Sequence, residues 1–130
     1  MKERKMLRTV AVCLVIGGQV HADDSARLDE FGCAILERPD ELTFSTFRDA
    51  WRSVAADKLY SLMRHRAVIE DGSCGCHVLR PDWSVIASEF ERLGFNQGPR
   101  ANYDTWVEVE YFPNMETLRN TVAAQCGEIE

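Results

Sequence analysis

The sequence lacks an excess of positive charge. Its 130 residues include 15 lysine and arginine residues against 21 aspartate and glutamate residues, which gives a formal net charge of −6. Proteins that bind a phosphate backbone present a basic face, so this balance argues against nucleic acid as a partner. With 45% hydrophobic and 28% charged residues, the composition is that of a globular protein rather than a disordered one. The length allows one domain and no second domain.

Long apolar runs and catalytic motifs are also missing. After residue 22, charged residues interrupt every apolar stretch before it reaches the roughly 20 residues that cross a bilayer. The chain contains no G-x-S-x-G, no H-E-x-x-H and no glycine-rich phosphate loop, and it has no internal repeat or low-complexity tract. The sequence therefore gives no reason to assign an enzyme, and it predicts no cofactor.

Residues 1–22 have the pattern of a secretory signal peptide. A basic start precedes the apolar run Val10–Ile16, and residues 20–22 include small or tolerated side chains at the cleavage positions. The alternatives are a buried first helix and a lipoprotein acylated at Cys13. The cleaved leader is the interpretation that we adopt.

Cleavage leaves residues 23–130 as one exported domain of 108 residues. We predict that this domain is periplasmic or secreted and does not insert into the membrane. It retains 11 basic and 20 acidic residues, so its formal charge is −9, and ten of the basic residues are arginines. This excess of acid disfavours nucleic acid and anionic lipid as partners.

The exported domain contains an even number of cysteines: Cys33, Cys74, Cys76 and Cys126. In a short exported chain this predicts two structural disulfides. A Cys74–Cys76 bridge would close a very small ring, which disulfide geometry resists. We therefore expect one member of this pair to bond Cys33 and the other Cys126. The loops so closed, of roughly 45 and 50 residues, would each contribute about 4 kcal/mol, and the sequence leaves the choice of sulfur open.

The cluster Cys74-Gly-Cys76-His77 has a second interpretation. Two thiolates and an adjacent imidazole are ligands for Cu(I) or Zn(II), so Cys74, Cys76 and His77 are the alternative metal or redox site. A closed metal site needs further ligands, and an oxidising compartment favours disulfides over thiolates. We therefore predict no metal and keep thiol redox or metal handling as the alternative function.

Apolar periodicity predicts a mainly α fold, a small disulfide-stapled bundle of about four or five helices. The segment Tyr103–Phe112 fits a helix or a strand, and a strand could form one short hairpin with Cys76–Leu79. Helix is favoured, because an isolated strand has no partner for its backbone hydrogen bonds. Capping residues, glycines and prolines mark the other predicted helices. These are Ser25–Glu37, a helix from Thr43 or Ser45 to about Arg66, a helix from Pro81-Asp82 to Gly94, and a terminal helix from Pro113-Asn114.

A basic spot, Arg64-His65-Arg66, stands out in this acidic chain. Its simplest interpretation is the last turn of a helix, where cations interact favourably with the helix dipole. The alternative is a docking site for an acidic partner, so these three residues are the candidate partner-binding residues. The carboxylate pair Glu108 and Glu110 is interpreted as solvated surface.

The residues Cys74-Gly-Cys76, followed by Pro81-Asp82-Trp83 and then Phe90, resemble small periplasmic proteins encoded beside type IV secretion and conjugation machinery. This resemblance covers about 20 residues and carries no catalytic signature. It implies an accessory or assembly role. Together with the missing catalytic motifs, it suggests a non-enzymatic protein that binds another protein of the cell envelope.

Overall fold

The structure, a computed structural model, describes residues 27–29 and 31–127. The predicted signal peptide lies outside these residues. The described chain forms α1 (Ala50–Asp71), the single turn α2 (Cys76–Leu79), α3 (Trp83–Arg92), α4 (Arg100–Trp106) and α5 (Phe112–Cys126). The predicted mainly α fold is confirmed. The number of separate helices longer than one turn is smaller than predicted. The described residues of 25–37 form no helix, and α4 and α5 are continuous with each other.

α1 is the central helix, and it is buried on several sides. Ala55, Leu59 and Leu62 are buried at the spacing of one helical stripe, and Arg64, His65 and Val68 are buried on other sides of the helix. The helix continues to Asp71, beyond the end predicted at about Arg66. No helix in the described part of the chain has the length and apolarity needed to cross a membrane.

α1 begins at Ala50, several residues after the start predicted at 43–45. The backbone before it is held by Phe44, whose ring stacks on Phe90 with 6.0 Å between the ring centroids. The Phe44 N–H donates to Ser53 Oγ at 2.8 Å, so the backbone donor has a side-chain partner instead of a helical one. Packing between distant residues therefore overrides the local helical pattern here.

The predicted helix Ser25–Glu37 is wrong over its described residues. Leu28 and Ala34 form an isolated antiparallel bridge around a tight turn. Asp29 Oδ1 accepts hydrogen bonds from the backbone N–H groups two and four residues later, both at 2.9 Å. An aspartate side chain that binds nearby N–H groups stabilises a turn against a helix. The turn places Cys33 in the interior.

Asp29 also attaches this turn to the rest of the domain. Its Oδ2 accepts a hydrogen bond from Arg80 Nε at 2.8 Å, and only 2% of its side chain is exposed. Burial by itself raises the pKa of the carboxyl. The hydrogen bonds from the Cys33 N–H, the Arg80 guanidinium and the Phe31 N–H together outweigh burial, so the pKa of Asp29 is lowered.

α3 has the boundaries that its capping residues predict. Asp82 occupies the N-cap and accepts a hydrogen bond from the Ser84 N–H at 2.7 Å. Gly94 follows the last turn with φ 75°, and the Phe95 N–H reaches back to the Phe90 carbonyl at 3.0 Å. This is a Schellman ending, which needs a left-handed residue at the glycine position.

α4 and α5 are joined by the π-helical turn Val107–Tyr111. Tyr103–Phe112 is therefore helical, as the sequence favoured, and no hairpin forms with Cys76–Leu79. The terminal helix was predicted to start at Pro113, but the helical backbone continues through this residue from α4. A proline lacks an N–H group and crowds the carbonyl four residues earlier, here Val109, and a widened turn relieves both problems.

The buried apolar residues form two clusters. The larger lies along the first part of α1 and includes Leu42, Leu59, Ile86, Phe90, Phe95, Trp106 and Met115. The smaller lies at the carboxyl end of α1 and includes Cys33, Val68, Val78, Leu79 and Val122. The cysteines therefore stabilise the end of the domain that has the smaller core.

Candidate functional site

The four cysteines lie in two pairs, Cys33–Cys76 and Cys74–Cys126. The Cα–Cα distances are 5.3 Å and 5.6 Å, which are normal for disulfides. The loop after α1 is thereby tied to two elements that are distant in sequence. One is the turn at Cys33 and the other is the end of α5. This is one of the two crossed arrangements that the sequence left open.

Cys74, Cys76 and His77, the alternative metal site, are not arranged around a common point as metal ligands would be. Cys74 and Cys76 are both exposed residues, but each sulfur belongs to a disulfide. His77 lies over Gly75, and its Nε2 is 3.2 Å from Asp71 Oδ2. Within the described residues, no group of three or more His, Cys, Asp or Glu side chains is arranged to hold a metal ion.

The predicted docking residues Arg64, His65 and Arg66 do not form one surface. Arg64 is 4% exposed and His65 is 1% exposed, since both lie on inner faces of α1. Arg66 reaches the surface and forms an ion pair with Glu110 at 3.6 Å. The sequence interpretation placed all three in the last turn of a helix, whereas α1 continues beyond them to Asp71.

His65 is held as a neutral ring inside the domain. Its Nδ1 lies 2.6 Å from the Ser61 carbonyl oxygen, while its Nε2 finds no hydrogen-bond partner in the described chain. Burial lowers the pKa of His65, the nearby charges of Arg64 and Arg119 lower it further, and the bond to Ser61 only partly opposes them. A buried ring of this kind is not available to a docking partner.

A cleft in the described part of the chain lies elsewhere, between the amino end of α1 and the loop that joins α3 to α4. Its volume is about 740 Å³. Aromatic and arginine side chains dominate its walls. The lining residues are Phe47, Arg48, Asp49, Ala50, Trp51, Arg52, Val54, Gln97, Gly98, Pro99, Arg100 and Tyr103. We call this the aromatic–arginine cleft.

Arg52 holds the two walls of the cleft together. Its guanidinium donates to the Phe95 carbonyl and, at 3.2 Å, to the Gly98 carbonyl, so it binds the loop opposite α1. It also contacts Asp49 Oδ1 at 3.3 Å and lies over the Trp51 ring, 4.4 Å from the ring centroid. With these contacts made, Arg52 shapes the cleft and is not the side chain that meets a partner.

The loop wall depends on a close backbone approach. The Gly98 N–H bonds to the Gly94 carbonyl at 2.8 Å. A Cβ atom at position 98 would lie 2.3 Å from that same oxygen, so only glycine fits. The turn brings Pro99, the N-cap of α4, and Arg100, its first residue, to the edge of the cleft.

The aromatic wall combines packed and unpacked rings. Trp51 is half-buried and packs on Tyr103, with 5.6 Å between the ring centroids, and both rings contact Phe95. Phe47 is different, because it precedes α1 and is 100% exposed. The Phe47 side chain therefore adds an exposed apolar ring to the edge of the cleft.

Sequence reasoning missed this cleft. It placed Phe47 inside a helix that starts at Thr43 or Ser45, although the helix begins after Asp49. Asp49 is itself a favoured N-cap residue type, so the sequence does contain a signal for the later start. The contact between this end of α1 and the loop after Gly94 joins residues far apart in sequence, so no local sequence pattern indicates it.

A scan against protein-family models, a search of curated proteins and a search of solved structures each find no match to this chain.

Proposed function

We propose that this chain is a non-enzymatic, exported accessory protein that binds another protein of the cell envelope, as part of a secretion or conjugation machine. The observation that carries the proposal is the fully exposed ring of Phe47 at the edge of the aromatic–arginine cleft. Burying a phenylalanine removes its apolar surface from water, and aromatic and arginine side chains are common anchors of protein interfaces.

The arrangement around Phe47 supports a binding surface that exists before the partner arrives. Arg52 fixes both walls, and the Trp51–Tyr103 contact supports the cleft from beneath. A surface that is already ordered loses little conformational entropy on binding. The two disulfides serve the same role at the other end of the domain, because they fix the turn at Cys33 and the end of α5.

Site-specific photocrosslinking tests this proposal in the native host with the full chain. A photoreactive phenylalanine analogue replaces Phe47 in one variant and Leu28, an exposed apolar residue near the Cys33 turn, in a control variant. We expect one envelope protein to be crosslinked from position 47 and not from position 28. That protein, once purified, should bind the wild-type chain and not Phe47→Ala. Identical adducts from both positions, or none, would contradict the proposal.

The second candidate function is thiol redox or metal handling by Cys74, Cys76 and His77. The observation in its favour is that both cysteines are exposed and that the His77 imidazole lies over the glycine between them. Titration of free thiols in the native protein, with metal analysis of the same sample, distinguishes the two functions. Free thiols or bound metal would favour the second candidate, and neither is expected from the first.

A further inference from the structure

The aromatic–arginine cleft has the opposite charge to the rest of the chain. Its lining contains three arginines and one acidic residue, Asp49, although the full chain has a net charge of −6. Arg52 is occupied by the contacts described above. The other two, Arg48 and Arg100, remain at the surface, so the charge that faces outward from the cleft is positive.

Arg48 and Arg100 are available for a partner. Arg48 is exposed and makes no hydrogen bond or ion pair with any described residue. Arg100 is 67% exposed, and its only ion pair in the described chain is a 3.5 Å contact with Asp104, which is itself exposed. Exposed pairs of this kind contribute little, so a carboxylate from a partner can replace Asp104 at small cost. A guanidinium binds a carboxylate through two parallel hydrogen bonds.

The apolar part of the cleft lies beside these charges. Phe47 is fully exposed, Val54 near the start of α1 is 47% exposed, and Trp51 also lines the cleft. A bulky apolar side chain placed here would cover all three. Phe47 directly precedes Arg48 in the chain, so one short segment of a partner could contact the ring and the cation together.

We infer that the occupant of this cleft is an acidic segment of another protein, with carboxylates that meet Arg48 and Arg100 and a bulky apolar side chain that packs against Phe47. This inference rests on the proposed function and specifies the partner's chemistry. A nucleic acid or an anionic membrane presents negative charge over a wide area, and the surrounding acidic surface of this chain would be repelled. A peptide segment can confine its charge to the cleft.

Selection from a random peptide library displayed on phage tests the inference without knowledge of the partner. The full exported chain, with its disulfides intact, is the target of the selection. A counter-selection on the Phe47→Ala/Arg48→Glu double variant removes peptides that bind other surfaces of the domain. We expect the enriched peptides to combine aspartate or glutamate with an aromatic or large aliphatic residue. Enrichment of neutral or basic peptides, or no enrichment over the double variant, would overturn the inference.

A selected peptide, labelled with fluorescein, then gives affinities by fluorescence anisotropy. We expect Phe47→Ala and the Arg48→Glu/Arg100→Glu pair each to weaken binding by about tenfold or more. Binding should weaken as salt is raised, since exposed charges are screened. The matched controls are Leu28→Ala and Arg27→Glu, another exposed apolar residue beside an exposed arginine, and these should change binding less than twofold. Replacing the peptide's carboxylates by amides should abolish the effect of the arginine variants.

Three further outcomes would overturn the inference. Binding to vesicles of anionic lipid that Arg48→Glu abolishes would make a membrane the occupant. Association of the chain with itself, dissolved by the same substitution in light scattering, would make a second copy the occupant. If substitutions at Arg48 and Arg100 do not change the binding of a crosslinked envelope partner, the inference of an acidic segment is refuted. The proposed function is then unaffected. The proposed function itself fails only when position 47 gives no specific adduct.

Discussion

Asp29→Asn is the substitution that most directly tests how the amino-terminal turn is held. The asparagine keeps the shape of the side chain, and its oxygen can still accept the two backbone N–H groups. Its NH₂ group, however, faces Arg80 Nε, so two donors meet where a carboxylate accepted a hydrogen bond at 2.8 Å. Arg80 is 18% exposed at its side chain, so water can only partly replace the lost partner.

The expected cost follows from these contacts. Losing a hydrogen bond between charged groups costs about 1.5–3 kcal/mol, and removing one member of a well-buried ion pair costs about 3–5 kcal/mol. Because Arg80 retains some contact with water, we expect the free energy of unfolding to fall by about 2–3 kcal/mol. A double-mutant cycle with Arg80→Met should show that most of this loss depends on Arg80.

The assay is urea unfolding followed by tryptophan fluorescence, with both disulfides intact. The midpoint should fall while the denaturant dependence stays unchanged. Because the pKa of Asp29 is lower in the folded state than in the unfolded chain, its contribution to stability is complete above the ordinary pKa of an aspartate. It is lost as the pH falls through the lower, folded-state pKa, so the variant and the wild type should converge in acid. A difference below 0.5 kcal/mol at neutral pH would refute this account of the turn.

Three other predictions concern the core, a disulfide and pH. Phe90→Ala should lower the free energy of unfolding by about 3–5 kcal/mol in urea titrations, because the ring is buried between Phe44 and Phe95. Removing the Cys74–Cys126 bridge with a paired serine variant should cost about 4 kcal/mol in denaturant unfolding, since that bridge closes 52 residues. The lowered pKa of His65 means that the unfolded chain takes up a proton more readily. Stability should therefore fall as the pH drops below about 6.5, by up to about 1.4 kcal/mol per unit, and His65→Leu should flatten this slope.

Elements with local signals were predicted well. Asp82 and Gly94 bound α3 through contacts with residues close in sequence, so their residue types alone indicate the helix ends. The choice of helix for Tyr103–Phe112 succeeded for a related reason, because a lone strand there would have had no partner for its backbone groups.

Elements that depend on distant contacts were not predicted. The stretch around Asp29 has a helical pattern of apolar residues, but the aspartate binds Arg80, 51 residues away, and forms a turn instead. The aromatic–arginine cleft arises from Arg52 reaching the carbonyls of residues 95 and 98. No periodicity in the sequence encodes such a pairing.

We propose that the chain is processed and that its four remaining sulfurs hold an ordered domain outside the cytoplasm. Mass spectrometry of the protein isolated from its native host, after thiol blocking and proteolysis without reduction, tests this most directly. We expect a chain that begins near Asp23 and two bridged peptides, one joining Cys33 to Cys76 and the other Cys74 to Cys126. An uncleaved chain with four blocked thiols would contradict the account.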